Sequence, residues 1–450
     1  MTLTFSSLFK HTKQIGAISP NGEFIAIAID ERLTIRRFQN LKIIKIFETP
    51  YTKSPYINHI SWSPNSKLVL TANFSESKVH IWTIVDDSKS YIAAFADQAQ
   101  GILAVRFSPM CDSILSWSEY KLRLTIWSLS DGSQKYIQYP KHIGKGISFH
   151  PNGKFAAVLI RSDYKDQVAL YSTVSWSFIK MFPLETIDAQ EIMWSSDGNC
   201  ICAWDISGNY LVQIFNSLGI LKKSFSLPIS ELGIQSVSWS PVGSFLALGS
   251  YDQEVRVLNN ITWKPISTFS LKPNITAPRV EILTEVSDSY NAGDKIGYEQ
   301  VKLASISKCK FIHSTSPATI KKSLVTDLSK PISRAGVYFL EFNANDSLLA
   351  CLNANTPNCV WIWSMSEMRI VVVIQCSSAI QKCSWNPSNP MALVFVSGNN
   401  QVYYYEHDQG ISVCPSGAET LEFTQFEWNQ DGNSILLFDK NLYTLASIDN

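Results

Sequence analysis

The sequence of 450 residues has no charge excess of either sign, because 38 Lys plus Arg balance 38 Asp plus Glu. Dedicated nucleic-acid binders usually carry a clear basic excess and polybasic membrane-surface proteins a cationic cluster, so neither nucleic-acid partners nor membrane insertion are expected. Charged residues are scarce at 17%, yet apolar residues reach 45%, which excludes disorder by composition. No stretch approaches 18 uninterrupted apolar residues; Ile370–Ile374 is a run of strand length. Residues 1–20 lack a charged start, an apolar run and a small-residue cleavage site, so no signal peptide is expected. Nine Cys, an odd number without framework spacing, read as small buried hydrophobes of a reducing compartment. The sequons at Asn73, Asn260, Asn274 and Asn345 are then expected to stay unmodified. These features describe a soluble intracellular protein, with two to four domains or one large repeat architecture.

Groupings that carry chemistry are also scarce. There is no GxxxxGK[ST] loop, no GxGxxG ahead of a helix, no GxSxG elbow and no HExxH pair. His80 lies inside a strand-like run and His150 in a turn, and both read as structural. Cys200 and Cys202 would point to one face of a strand. Without a companion pair, that face reads as buried and apolar rather than metal-binding. Asp205 and Asp252 stand alone at strand ends, where a carboxylate accepts turn N–H groups. Neither a metal nor a cofactor is expected, and no catalytic residue.

What is present is a repeat. A short anchor recurs: apolar positions, an aromatic, Ser, Pro and a turn with Gly or Asn. It reads ISWSPNSKL around Trp62, VRFSPMCDS around Phe107, ISFHPNGKF around Phe149, IMWSSDGNC around Trp194 and VSWSPVGSF around Trp239. Weaker copies surround Pro20, Phe342, Trp385 and Trp428. The Pro position falls at 20, 64, 109, 151, 196, 241, 344, 387 and 430, in steps of 44, 45, 42, 45, 45, 103, 43 and 43. The period sits inside the roughly 40 to 45 residues expected of WD40 units. Period-two runs follow most anchors, ending at Trp82, Trp127, Tyr171, Leu258, Trp363 and Tyr405, which adds up to four short strands per unit. A single four-stranded sheet cannot cover its own two apolar faces, whereas many packed around an axis can.

The expected fold is all-β, a WD40-type β-propeller over residues 1–450. A single ring of about nine four-stranded blades leads over two smaller rings, or a smaller ring with end units packed outside it. Closure is expected from the N-terminal segment Leu3–Phe9, supplying the outer strand of the last blade. The long step defines an insertion over residues 272–334. It reads as a hairpin of Val280–Val286 and Val301–Ser307, with a hidden tenth blade as the alternative. Its charges segregate: five acids and one base over residues 281–299, seven bases and one acid over residues 300–334. The plain reading is a solvated insertion; the sharper one is a basic strip, with Lys321 and Lys322, for an acidic partner. Sialidase-type propellers carry Ser-x-Asp-x-Gly ahead of a Trp. The nearest match, Ser195–Trp204, places Gly198 directly after Asp197 and so has the wrong spacing.

Several stretches are more specific than the generic repeat: KLRLTIWSL (121–129) with YIQYPK (136–141), CAWD (202–205), residues 233–269 and NTPNCVWIW (355–363). In this order the sequence resembles the WD-repeat protein 8 family of centrosomal proteins, essentially end to end. It departs from the usual repeat signature in lacking Gly-His openings. Thr83, Ser128 and Ser364 also follow the run-ending Trp where Asp is common, so the hydrogen-bonded tetrad of such blades is in doubt. The resemblance implies a non-enzymatic scaffold in the cytoplasm and cytoskeleton, at centrosomes, centriolar satellites, spindle pole bodies or basal bodies. It implies a coiled-coil partner of the synovial-sarcoma-X-breakpoint-interacting type, with microtubule minus-end or kinesin components. It further implies roles in microtubule anchoring, spindle organisation and cilium biogenesis. The alternatives are a translation-associated WD-type scaffold and a propeller enzyme. Candidate partner-binding residues are Arg123, Tyr139, Lys141, Trp204 and Trp263, with Lys321 and Lys322, since exposed Tyr, Trp and Arg commonly anchor interfaces.

Overall fold

In a computed structural model the chain is described over residues 2–54, 56–85, 91–228, 232–286, 310–320, 336–407, 409–416 and 420–449. These residues form strands and turns and no helix. Antiparallel four-stranded sheets follow one another at residues 16–48 (blade 1), 59–96 (blade 2), 104–138 (blade 3), 147–183 (blade 4), 191–226 (blade 5), 234–270 (blade 6) and 382–415 (blade 8). Blade 7 is built on residues 337–375 and blade 9 on residues 425–449. An apolar cluster lies between each blade and the next, and the last one joins Leu436, Phe438 and Tyr443 of blade 9 to Ile25 and Ile27 of blade 1. This is one closed ring of nine blades, not two smaller ones.

Position within the blade sets the sequence pattern. The two central strands are sandwiched on both faces. In Phe245–Ser250, Leu246 and Leu248 face blade 5 while Ala247 faces blade 7. Such strands read as nearly continuous apolar runs. First strands of neighbouring blades lie nearest one another, and alternate residues such as those of His59–Trp62 are only half-buried. Fourth strands form the rim and are mostly exposed, as in Gln134–Gln138.

The anchor is the hairpin between first and second strands. The Ser63 hydroxyl accepts from the Leu68 N–H at 2.9 Å, and the Ser66 N–H donates to the Ser63 carbonyl at 2.8 Å. Ser19, Ser195, Ser240 and the Asn343 amide oxygen repeat the first bond with Phe24, Cys200, Phe245 and Leu348. The residue three places after the anchor is left-handed: Gly198 at φ 75° and Gly243 at φ 84°, but also Ser66 at 58° and Asp346 at 60°. The repeat is therefore written by a turn that needs a short side-chain acceptor and then a residue tolerating positive φ. Part of the tetrad persists: Trp82 Nε1 donates to Thr71 Oγ1 at 2.9 Å and Trp127 Nε1 to Ser116 Oγ at 2.8 Å.

The ring closes through its N-terminus. Strand Thr2–Phe5 pairs antiparallel with Leu442–Asp449, and Phe9–Lys10 pairs with the same strand. Leu3 and Phe5 pack on the cluster between blades 8 and 9. His11 bonds the carbonyls of Asp439 and Leu442, and Glu427 of blade 9 accepts from the Ile18 N–H of blade 1 at 3.1 Å.

Among the described residues the insertion extends blade 7 rather than forming a tenth blade. Strand Glu281–Val286 adds in parallel to Arg369–Gln375, the fourth strand of blade 7, and Lys310–Thr315 pairs antiparallel outside it, giving six strands. The strand paired with Glu281–Val286 is Lys310–Thr315; the second arm read in the sequence, Val301–Ser307, lies outside the described residues. Acids of the insertion serve structure: Glu285 accepts from the Ser377 N–H at 2.7 Å and from the buried Tyr403 hydroxyl at 2.8 Å.

Candidate partner-binding surface

The turns between second and third strands and the connections between blades share one end of the ring, called here the upper face. The family-like motifs sit on it, and most act as latches. Asp205 of CAWD is fully buried and accepts from the N–H groups of Ile187 and Asp188 at 2.7 and 2.8 Å, holding the connection from blade 4 to blade 5. This is the turn-capping role read for it. In YPK, Pro140 bridges to Ile160 of blade 4, and the Lys141 ammonium reaches Asp166 at 2.6 Å and Asp188 at 2.7 Å. Burial raises the Asp188 pKa, but Lys141 and then Arg161 outweigh it and hold the carboxyl below its ordinary range. Asp252 takes the Glu254 N–H at 3.0 Å and the Arg256 guanidinium at 2.7 Å. Asn353 donates to the Leu271 carbonyl at 3.1 Å. In blade 2, Glu76 accepts from the Lys53 N–H at 2.7 Å and pairs with Lys78. Burial pushes the Glu76 pKa up, but Lys78 and the Lys53 and Thr52 donors prevail and hold it at about 2.

Three candidate residues belong to this interior rather than to a surface. Lys141 has 6% of its side chain exposed, Trp204 is 3% exposed and Trp263 5%. Trp204 and Trp263 both pack in the apolar cluster between blades 5 and 6, and Trp263 meets Trp239 edge-on at 5.8 Å. A charged or aromatic side chain in a loop is legible, but the neighbouring blade that covers it is not. Lys321 and Lys322 lie outside the described residues. Cys200 and Cys202 fall in that same apolar cluster, and burial pushes both thiols up. His80 is buried between Tyr51 and Tyr91, and burial, then Lys78, lowers its pKa to about 4. His150 packs against Trp194 and receives the Asn152 N–H.

Arg123 and Tyr139 do come together. They line a groove of about 290 Å³ with Gln100, Leu122, Tyr136 and Gln138. Arg123 pairs with Asp97 at 2.7 Å and stacks over the Tyr136 ring at 4.7 Å. Tyr139 is 53% exposed and left-handed at φ 55°; its N–H donates to the Leu122 carbonyl and its carbonyl accepts from the Arg161 N–H. Next to it, Asp163 and Tyr164 form a two-residue hairpin tip, both at positive φ, with Tyr164 95% exposed. Such tips favour Asn-Gly or Asp-Gly. A tyrosine held there without burial stores local strain that packing does not repay, a feature that clusters at functional sites. Leu103, Tyr120, Leu122 and Ile187 are also exposed on this face. Tyr120, Tyr136 and Tyr164 were missed in the sequence, although an aromatic at a hairpin tip is the signal that finds Tyr164.

Aromatic side chains, an arginine already oriented by Asp97 and amide groups suit recognition of another protein's surface. No group of His, Cys, Asp and Glu among the described residues could hold a metal ion. The class is therefore a WD40-type β-propeller; such propellers are generally non-enzymatic scaffolds. The WD domain, G-beta repeat family matches residues 41–83 and 222–259. Mouse WD repeat-containing protein WRAP73 is 30% identical over 455 aligned residues, covering 99% of this chain and 96% of that protein. The chain belongs to the WD-repeat family. An uncharacterized WD repeat-containing protein of Schizosaccharomyces pombe is 23% identical over 95% of this chain and 84% of its own length. The crystal structure of the C-terminal WD40 domain of Sif2 superposes with a TM-score of 0.53 at 11% identity, covering 100% of both chains, a likeness of fold alone.

Proposed function

We propose that this chain is a scaffold of the centrosome, spindle pole and basal body. It binds a coiled-coil partner of the synovial-sarcoma-X-breakpoint-interacting type and supports microtubule minus-end anchoring, spindle organisation and cilium assembly. The observation that carries the reading is the end-to-end similarity to WRAP73, over 99% of this chain and 96% of that protein. The groove at Arg123 and Tyr139 supports it, since a rigid ring that exposes strained aromatics is suited to holding another chain. In cells, tagged protein is expected to concentrate at spindle poles and to co-purify with a coiled-coil protein and centrosomal components. Diffuse distribution together with recovery of neither would overturn the reading.

A further inference from the structure

The rim of blades 3, 4 and 5 combines exposed apolar and cationic side chains. Their fourth strands read QKYIQ (Gln134–Gln138), SFIKMFP (Ser177–Pro183) and LKKSFS (Leu221–Ser226). Tyr136, Phe178, Ile179, Met181 and Leu221 stand exposed among them. Every charged residue of the three strands is a lysine: Lys135, Lys180, Lys222 and Lys223. The Lys135 ammonium donates to the Ser175 carbonyl in the next blade, and the Lys180 ammonium to the Leu218 carbonyl in the blade after, at 3.1 Å. A neutral carbonyl fixes an ammonium without cancelling its charge. The same arrangement thus repeats from blade to blade along the rim.

Lysines and bulges on an edge protect it from pairing with another strand. The bulges are here, at Leu170/Tyr171 and Ile214/Phe215. Edge protection explains the lysines, but not the Phe, Ile and Met between them. It also speaks against a partner that adds a strand. What remains is recognition by side chains: apolar contacts flanked by cationic groups, the complement of a helix face carrying apolar residues beside carboxylates.

We infer that the rim of blades 3–5 is the docking surface for the acidic, partly apolar outer face of a coiled coil. The inference rests on the scaffold reading and adds where the partner binds and which charge it carries. The test uses the full chain and a labelled two-stranded coiled-coil peptide of five heptads with Leu at b and Glu at c and f, against the same peptide with Lys at c and f. Fluorescence anisotropy at low salt is expected to favour the acidic peptide at least tenfold, with affinity falling as salt rises. The triple variant Lys135→Glu, Lys180→Glu, Lys222→Glu keeps a charge on each edge but gives up the rim hydrogen bonds of the ammonium groups, so its melting temperature should fall by only a few degrees while the preference inverts. Equal binding of both peptides, or an unchanged preference in the triple variant, would overturn the inference. Binding only to vesicles containing phosphatidylserine would also overturn it, assigning the rim to a lipid surface. Loss of cellular co-purification with peptide binding intact would count against the scaffold reading and leave the rim assignment standing.

Discussion

Blade 4 and blade 8 are interchangeable inside. Residues 156–160 and 392–396 of the central strands are buried, and each blade shares an apolar cluster with both neighbours. Outside they part. Blade 4 and its connections expose Phe155, Tyr164, Phe178, Ile179, Met181 and Ile187, whereas residues 382–449 of blades 8 and 9 expose no large apolar side chain among the described residues. Folding demands the interior equivalence, because each blade must cover its neighbours' faces. Nothing in folding demands the exterior difference; exposed apolar side chains occur from blade 1 to blade 6 and are missing from residues 382–449, and on blades 3–5 they stand beside the groove at Arg123 and Tyr139. In the proposed reading, stability lies in the whole ring and recognition on blades 3–5.

The comparison breaks first at the seam. Deleting residues 1–12 removes two pairings with Leu442–Asp449 and the contacts of Leu3, Phe5 and His11, so the melting temperature should fall by roughly 10 °C or more. A thermal scan showing no change would mean that the ring closes otherwise. Next is the latch within the binding arc. Lys141→Ala leaves Asp166 buried beside a lost ammonium and should cost about 3 kcal/mol in urea unfolding. A cost near zero, with partner affinity lost instead, would return Lys141 to the surface role first read for it.

Acid should sharpen the same contrast at blade 2. His80 is held neutral, with its pKa at about 4 against an ordinary 6.5. Its contribution is complete above pH 6.5 and is lost as pH falls toward 4. Glu76, at about 2 against 4.5, contributes above 4.5 and is lost as pH falls toward 2. Melting temperature should therefore decline in two stages on acidification, and His80→Gln should flatten the upper one. A flat profile between pH 6.5 and 4 in the parent protein would contradict the burial assigned to His80. The smallest effect on stability belongs to Tyr164→Gly, which should gain about 0.5–1 kcal/mol by relieving a positive φ while weakening partner binding. A loss of stability would show that the ring has packing partners after all.

Much of this is legible in the sequence, for identifiable reasons. The anchor turn imposes a local chemical demand every 44 or so residues, so the blades could be counted, and the nearness of Leu3–Phe9 to strand character placed the seam. Asp205 was readable because a lone acid at a strand end seeks N–H groups. The parallel addition of Glu281–Val286 to blade 7 was not, since parallel pairing joins residues about ninety positions apart without a local signature. Nor could the sequence separate Tyr139, which faces solvent, from Trp204 and Trp263, which a neighbouring blade covers. Exposure of a loop side chain is decided by a neighbour folded elsewhere.

Hydrogen–deuterium exchange on the full chain, free and bound to the coiled-coil protein that co-purifies with it, tests the division between ring and arc most directly. The account predicts added protection in residues 119–139, 161–166, 177–183 and 221–226, with blades 8 and 9 unchanged. Protection confined to blades 7–9, with the arc of blades 3–5 exchanging as in the free protein, would contradict it.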